Sequence, residues 1–152
     1  MQDQRHATAI AVEGQAVLIE GPSGSGKSDL ALRLIDQGAL LIGDDQVIIR
    51  AGETGLVVEP VPSLAGRMEV RGLGIIAVPC TAHGPLGLIV ELTDRVERFP
   101  DAQEGLPTRT VLGQDVPVMT LSGLEASAPA KIRLALRALS GTLFRPDIDA
   151  PH

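Results

Sequence analysis

Aromatic residues are nearly missing from this chain: of its 152 residues none is Trp or Tyr and two are Phe. Without rings on which bases can stack, and with a net charge of −6 at neutral pH, the sequence argues against non-specific nucleic-acid binding. The same charge disfavours an anionic membrane surface. No apolar run approaches the roughly 18 residues that a spanning helix needs. The polar start, Met1 to His6, does not lead into the apolar stretch of a signal peptide. A single cysteine, Cys80, cannot form an intrachain disulfide and suits a reducing cytosol. No Cys-His pattern surrounds it, so it reads as a small packing residue. The expectation is a cytoplasmic domain with neither nucleic acid nor membrane as partner.

What is abundant is aliphatic. Hydrophobic residues make up 44% of the chain, and the core has to be built from Leu, Ile, Val and Ala. One domain of this length buries roughly 70% of the surface its unfolded chain exposes. Residues 16–20, Ala-Val-Leu-Ile-Glu, form an apolar run stopped by Gly21 and Pro22, the pattern of a buried strand entering a loop. From Lys27 the period changes: Leu30, Ala31, Leu34 and Ile35 recur at helical spacing, and Gly38 stands where a helix ends. Residues 40–45 read as a second buried strand ending in two carboxylates, with residues 46–50 extending or following it. Further strands are expected at 56–58, 75–78, 86–91 and 116–121, with Pro60 and Pro62 closing the first of these. A turn around His83, Gly84 and Pro85 is expected to separate the strands at 75–78 and 86–91. Residues 63–74 show weak periodicity, and the charged residues 93–105 read as a surface loop. Residues 128–139 have a helical pattern that Ser127 would cap, with Pro129 in its first turn. Residues 141–152 read as a frayed tail.

The chemistry concentrates in Gly21-Pro22-Ser23-Gly24-Ser25-Gly26-Lys27-Ser28, which satisfies the pattern G-x-x-x-x-G-K-[ST] between an expected strand and an expected helix. Glycines let the backbone curl so that several N–H groups face one anion, and the helix beginning near Lys27 adds its positive dipole end. Lys27 would place an ammonium on the outer phosphates of a nucleotide, and the Ser28 hydroxyl would ligate Mg²⁺. A chance glycine-rich turn is the rival explanation, made improbable by the strand-loop-helix context. Asp44 and Asp45 end the next expected strand, where P-loop proteins hold the metal and its water shell. One acid can serve the metal while the other takes a proton. An ordinary acidic turn is the alternative, since Gly-Asp-Asp is good turn chemistry.

These residues, taken with a second stretch, resemble the HPr kinase/phosphorylase family. That family reads a His, an apolar strand, a Gly-x-Ser-Gly-x-Gly-Lys-Ser loop, a helix ending in Gly and a strand ending in Asp-Asp. Here the same register holds His6, residues 17–19, Gly21 to Ser28, Gly38, and Asp44 with Asp45. The family's Glu-Ile-Arg-Gly-Leu-Gly-Ile-Ile is matched by Glu69-Val70-Arg71-Gly72-Leu73-Gly74-Ile75-Ile76. The resemblance covers residues 6 to about 78.

It implies an α/β P-loop domain spanning the chain, with a mixed central sheet of the kind seen in phosphoenolpyruvate carboxykinases. It also implies ATP- and Mg²⁺-dependent phosphorylation of a serine on the phosphocarrier HPr or a paralogue, with phosphorolysis in reverse. On that basis Lys27 and the loop bind ATP phosphates, and Ser28 and Glu69 form the Mg²⁺ pair. Asp45 is the general base, with Asp44 close beside it. His6 is the family's histidine, and Arg71 and Arg98 steady phosphate charge. Assembly into a homo-oligomer is implied too. Three departures stand out. Ala7 replaces a usual Gly, and Pro129-Ala130-Lys131-Ile132 stands where relatives carry Pro-Gly-Arg-Asn. The separate N-terminal domain common in relatives has no counterpart in this sequence. Two other functions fit the phosphate loop: a regulatory module that senses ATP without transferring phosphate, and a small-molecule kinase with residues 93–105 as its lid.

Overall fold

The computed structural model describes residues 1–95 and 105–141. Arg98, most of the expected surface loop and nearly all of the expected tail lie outside the described residues. Among the described residues, two α-helices and eleven strands follow one another as β1 (Gln2–Arg5), β2 (Thr8–Val12), β3 (Gln15–Glu20), α1 (Lys27–Asp36), β4 (Leu40–Gly43), β5 (Val47–Ala51), β6 (Leu56–Pro60), β7 (Arg67–Val70), β8 (Gly74–Ala77), β9 (Gly84–Leu92), β10 (Thr108–Val111), β11 (Gln114–Leu121) and α2 (Ala128–Ser140), with a single 3-10 turn at Pro62–Leu64.

Nine of the strands form one mixed sheet, in the order β1-β5-β6-β9-β3-β2-β4, with β11 also beside β9 and β10 beside β11. Its centre is parallel: β3 runs with β9, and β9 with β11. The remaining pairings within this sheet are antiparallel.

The centre lies there because β3 is buried on both faces. Ala16, Val17, Leu18 and Ile19 are each 0% exposed, a continuous apolar run of the kind covered parallel strands carry. Each large side chain so buried contributes about 1.5–3 kcal/mol. Alternation then divides the core in two. Val17 and Ile19, with Leu88, Val90 and Leu92 of β9, face Leu30, Leu34, Ile132 and Leu136 of the helices. Leu18 and Ile89 face the other way, toward Val47, Ile49, Val58, Val116 and Val118.

Helix α1 buries Leu30, Ala31, Leu34 and Ile35 on that first face. It stops in a double bond of the Schellman type, with Gly38 N–H on the Ile35 carbonyl at 3.0 Å and Ala39 N–H on Leu34 at 3.0 Å.

Several expectations are revised. Gly84 and Pro85 are not a turn but the first residues of β9, paired with Val58 and Val57. Of the two readings of residues 46–50, the one that holds is that they follow β4: residues 47–51 pair with β1 and β6 as a separate strand. The weakly periodic stretch contains β7, which pairs with β8 in a two-stranded sheet of its own. Ser127 does not cap α2 with its side chain: its backbone is already helical, and its hydroxyl turns to Glu125 at 3.4 Å. Pro129 lies in the first turn as expected.

Candidate active site

The loop leaving β3 turns twice through the left-handed region, at Gly24 (φ 80°) and Gly26 (φ 97°), where a side chain would cost about 1–2 kcal/mol. Gly26 is also the N-cap of α1, and with no side-chain cap there the first N–H groups of the helix stay available to an anion. A Cβ at Gly21 would meet Ser25 Oγ at 2.6 Å, so a larger residue there would displace that hydroxyl. Ser25 Oγ is itself the one buried side-chain polar atom without a partner among the described residues. An uncapped helix start, an orphan hydroxyl and an ammonium are a donor set suited to phosphate. Lys27 folds its ammonium across the loop and donates to the Gly21 carbonyl at 2.7 Å.

The acid pair sits directly opposite. Ser28 Oγ donates to Asp44 Oδ1 at 2.9 Å, and Thr8 Oγ1 donates to the same oxygen at 3.1 Å. Asp44 Oδ2 accepts the Glu69 N–H at 3.3 Å. Asp45 points elsewhere: its side chain is 64% exposed and lies 3.4 Å from His6 Nδ1. Six residues from three elements and two connections are thus gathered at the mouth of the loop. The carboxylate of Glu69 is exposed, and it is the residue's backbone that ties hairpin β7–β8 to Asp44. Arg71 is exposed at the turn of that hairpin. No group of three or more His, Cys, Asp or Glu converges on a metal position among the described residues. A hard cation shared by a hydroxyl, one carboxylate and phosphate oxygens needs none. Lys131, in the departure from the family's Pro-Gly-Arg-Asn, is paired with Glu125.

Sequence reasoning missed the residues that hold this arrangement. Arg33 of α1 reaches across to the connection between β11 and α2, donating to the Gly123 carbonyl and, at 2.7 Å, to the Glu125 carbonyl. Asp29 braces its guanidinium at 3.0 Å. Gly123 is thereby pressed onto the loop so closely that a Cβ there would lie 2.7 Å from the Ser25 carbonyl. Beneath the loop, Glu20 and Glu91 are neighbours across β3 and β9. Arg109 bridges both acids, and Arg5 joins Glu20 at 3.2 Å and Asp3 at 2.8 Å. Burial works against the charge of Arg5, but its hydrogen bonds to Asp3 and Glu20 outweigh it and hold the guanidinium above its ordinary pKa. Thr8 had a signal: it is the lone hydroxyl heading an otherwise aliphatic strand.

A parallel strand, a glycine loop and a helix opening on Lys-Ser, with an acid from the end of β4, one strand removed across β2, on that serine, define a P-loop protein of the α/β class. Comparison with known proteins narrows this. The model of the HPr serine kinase C-terminal domain matches residues 1–122. The HPr kinase/phosphorylase of Chlorobium phaeobacteroides (strain BS1) is 36% identical over 129 residues, 78% of this chain and 38% of that protein. That of Mycoplasma mycoides subsp. mycoides SC is 34% identical over 110 residues, 68% of this chain and 35% of its own length. The solved structure of the HPr(Ser) kinase/phosphatase from Coxiella burnetii matches with a TM-score of 0.78 at 26% identity, covering 90% of this chain and 89% of that one. The chain belongs to the HPr serine kinase C-terminal domain family, and it has that family's mixed α/β fold. It spans 38% of the length of the first curated relatives it matches.

Proposed function

We propose that this chain transfers phosphate from ATP to a serine on an HPr-type phosphocarrier. The observation that carries the reading is the meeting of Ser28 and Asp44 at 2.9 Å beside a second, exposed acid. A loop that merely held a nucleotide would not need a second, exposed carboxylate at its mouth. Lys27 and the N–H groups of the loop and of α1 hold the phosphates. Ser28, with Glu69, holds Mg²⁺, which neutralises charge on phosphate oxygens when bound. Asp45 accepts the proton of the attacking seryl hydroxyl, and phosphorolysis would return it. His6, 3.4 Å away, orients that carboxylate. Arg98 is assigned to steadying phosphate charge on the resemblance alone.

The test is incubation with γ-labelled ATP, with and without a purified HPr-type protein. Label appearing on a serine of the phosphocarrier supports the reading. ATP binding without transfer to any acceptor overturns it in favour of a nucleotide-sensing module, and label on a small molecule instead favours the small-molecule kinase.

A further inference from the structure

Strand β2 reads Thr-Ala-Ile-Ala-Val, and its first residue is out of place chemically. Thr8 is 0% exposed, the one polar residue buried as a whole among the described residues. A buried hydroxyl is costly unless its hydrogen-bonding capacity is used. Here it is used in both directions. The proton goes to Asp44 Oδ1 at 3.1 Å, and the oxygen accepts the Asp45 N–H at 3.3 Å. A threonine hydroxyl has one proton and two lone pairs, so the two bonds are compatible only in this sense.

The position explains why it is needed. Backbone pairing between β2 and β4 ends at Ala9 and Gly43, with the register shifting beside it. One step further on, the hydroxyl of Thr8 takes over from the ladder. The chain then turns sharply: Asp45 has φ 69°, and Gln46 N–H closes onto the Asp44 carbonyl at 2.8 Å. A three-residue turn with its central residue at positive φ is the strained form, and it persists only where neighbours hold it.

We infer that Thr8 is a positioning residue for the transfer site: one hydroxyl fixes the Asp44 carboxylate on the Ser28 side and the Asp45 backbone on the acceptor side, so that the two adjacent acids keep separate tasks. With donors from Ser28, Thr8 and Glu69, Asp44 is committed to the loop. Asp45 is left facing outward beside His6. The role in turnover rests on the kinase reading above; the pinning itself does not.

Two comparisons isolate the hydroxyl. Thr8→Val keeps the shape and removes it, and Thr8→Ala differs from Thr8→Ser by the hydroxyl alone. For Thr8→Val, kcat for transfer to the phosphocarrier should fall roughly 10–100-fold, the usual loss when a group that orients an active-site ligand is removed. ATP affinity by calorimetry should change far less. Thr8→Ser should recover most of the rate that Thr8→Ala loses. Independently of any activity, exchange of the Asp45 amide hydrogen should be slow in the parent and in Thr8→Ser. It should be about tenfold faster or more in Thr8→Val and Thr8→Ala, because the amide's acceptor is gone. Equal exchange in all four proteins overturns the pin outright. Normal exchange differences with unchanged kcat overturn its role in turnover. If the parent transfers no phosphate, the kinase reading fails while the exchange data still decide the pin. Should Thr8→Val not fold, the Ser and Ala variants carry the comparison.

Discussion

Changing Asp45 to Asn should separate chemistry from binding more cleanly than any other substitution in the site. The side chain is 64% exposed, and Asn is among the few residues that tolerate a positive φ such as the 69° at this position. The backbone should therefore keep its course and the fold its stability. What is lost is a proton acceptor, typically a contribution of about 10²–10⁴-fold. At 1.36 kcal/mol per tenfold, the barrier should rise by about 2.7–5.4 kcal/mol. Asp44→Asn makes the contrast. Its two oxygens accept from Ser28, Thr8 and Glu69, and an amide NH₂ must turn toward one of those donors. A half-buried donor left without its acceptor costs about 1–3 kcal/mol, or about 2–4 °C in Tm per kcal/mol for a chain this size. Asp44→Asn should therefore lose stability and ATP–Mg²⁺ affinity along with turnover. Calorimetry, phosphate transfer and thermal unfolding on the same preparations give the pattern. If Asp44→Asn loses turnover alone while Asp45→Asn turns over normally, the assignment of the two acids is reversed. If both turn over normally, proton acceptance by this pair is refuted.

Lys27→Ala should abolish transfer and weaken ATP binding with little change in Tm, since the hydrogen bond its ammonium makes among the described residues is to a loop carbonyl, Gly21 at 2.7 Å; equal transfer rates in mutant and parent would refute the phosphate-loop assignment. Glu69→Gln should raise the Mg²⁺ concentration for half-maximal activity, because a hard cation prefers a charged oxygen, whereas superimposed titration curves would return Glu69 to the surface. Helix α2 should loosen in acid. Hydrogen bonds from Arg137 and Lys131 hold the Glu13 and Glu125 carboxyls below the ordinary glutamate range. Stability from a depressed carboxyl is present above its unfolded pKa and lost as pH falls through the folded one. Unfolding monitored by circular dichroism should thus show a small loss beginning below about pH 4.3, diminished in Glu13→Gln.

The strand, loop and helix around residues 15–36 were legible because two independent periodicities meet at a glycine motif. The acid pair was legible for a related reason, as a polar end on an apolar run. Strand β2 was not: with two alanines in five residues it has little intrinsic preference for extension. Its pairing comes from residues 15–19 and 40–43, which no local window contains. The polar β10, Thr-Arg-Thr-Val, was missed likewise, and with it Arg109. Ser127 shows the reverse error, a good capping residue whose hydroxyl found a nearer partner in Glu125. Thr8, Arg33 and Gly123 act through contacts between distant parts of the chain, and side-chain identity alone carries almost no signal of that.

The contact between Gly123 and the phosphate loop bears on when a nascent chain acquires its site. The motif is complete once residue 28 has been made, and the acid pair follows within the next stretch. The wall against which the loop leans comes much later, since Arg33 and its two carbonyl acceptors are separated by 90 and 92 positions. Closing so long a span is entropically uphill until both ends are ordered. During synthesis the glycine loop therefore exists as an unsupported turn until residues 90 and 92 positions beyond Arg33 have been added, and it is set in place by residues lying just beyond the stretch that matches the family model at 1–122. A fragment cut at that boundary would carry every residue assigned to phosphate, metal and proton among the described positions, but not the piece that gives the loop its shape.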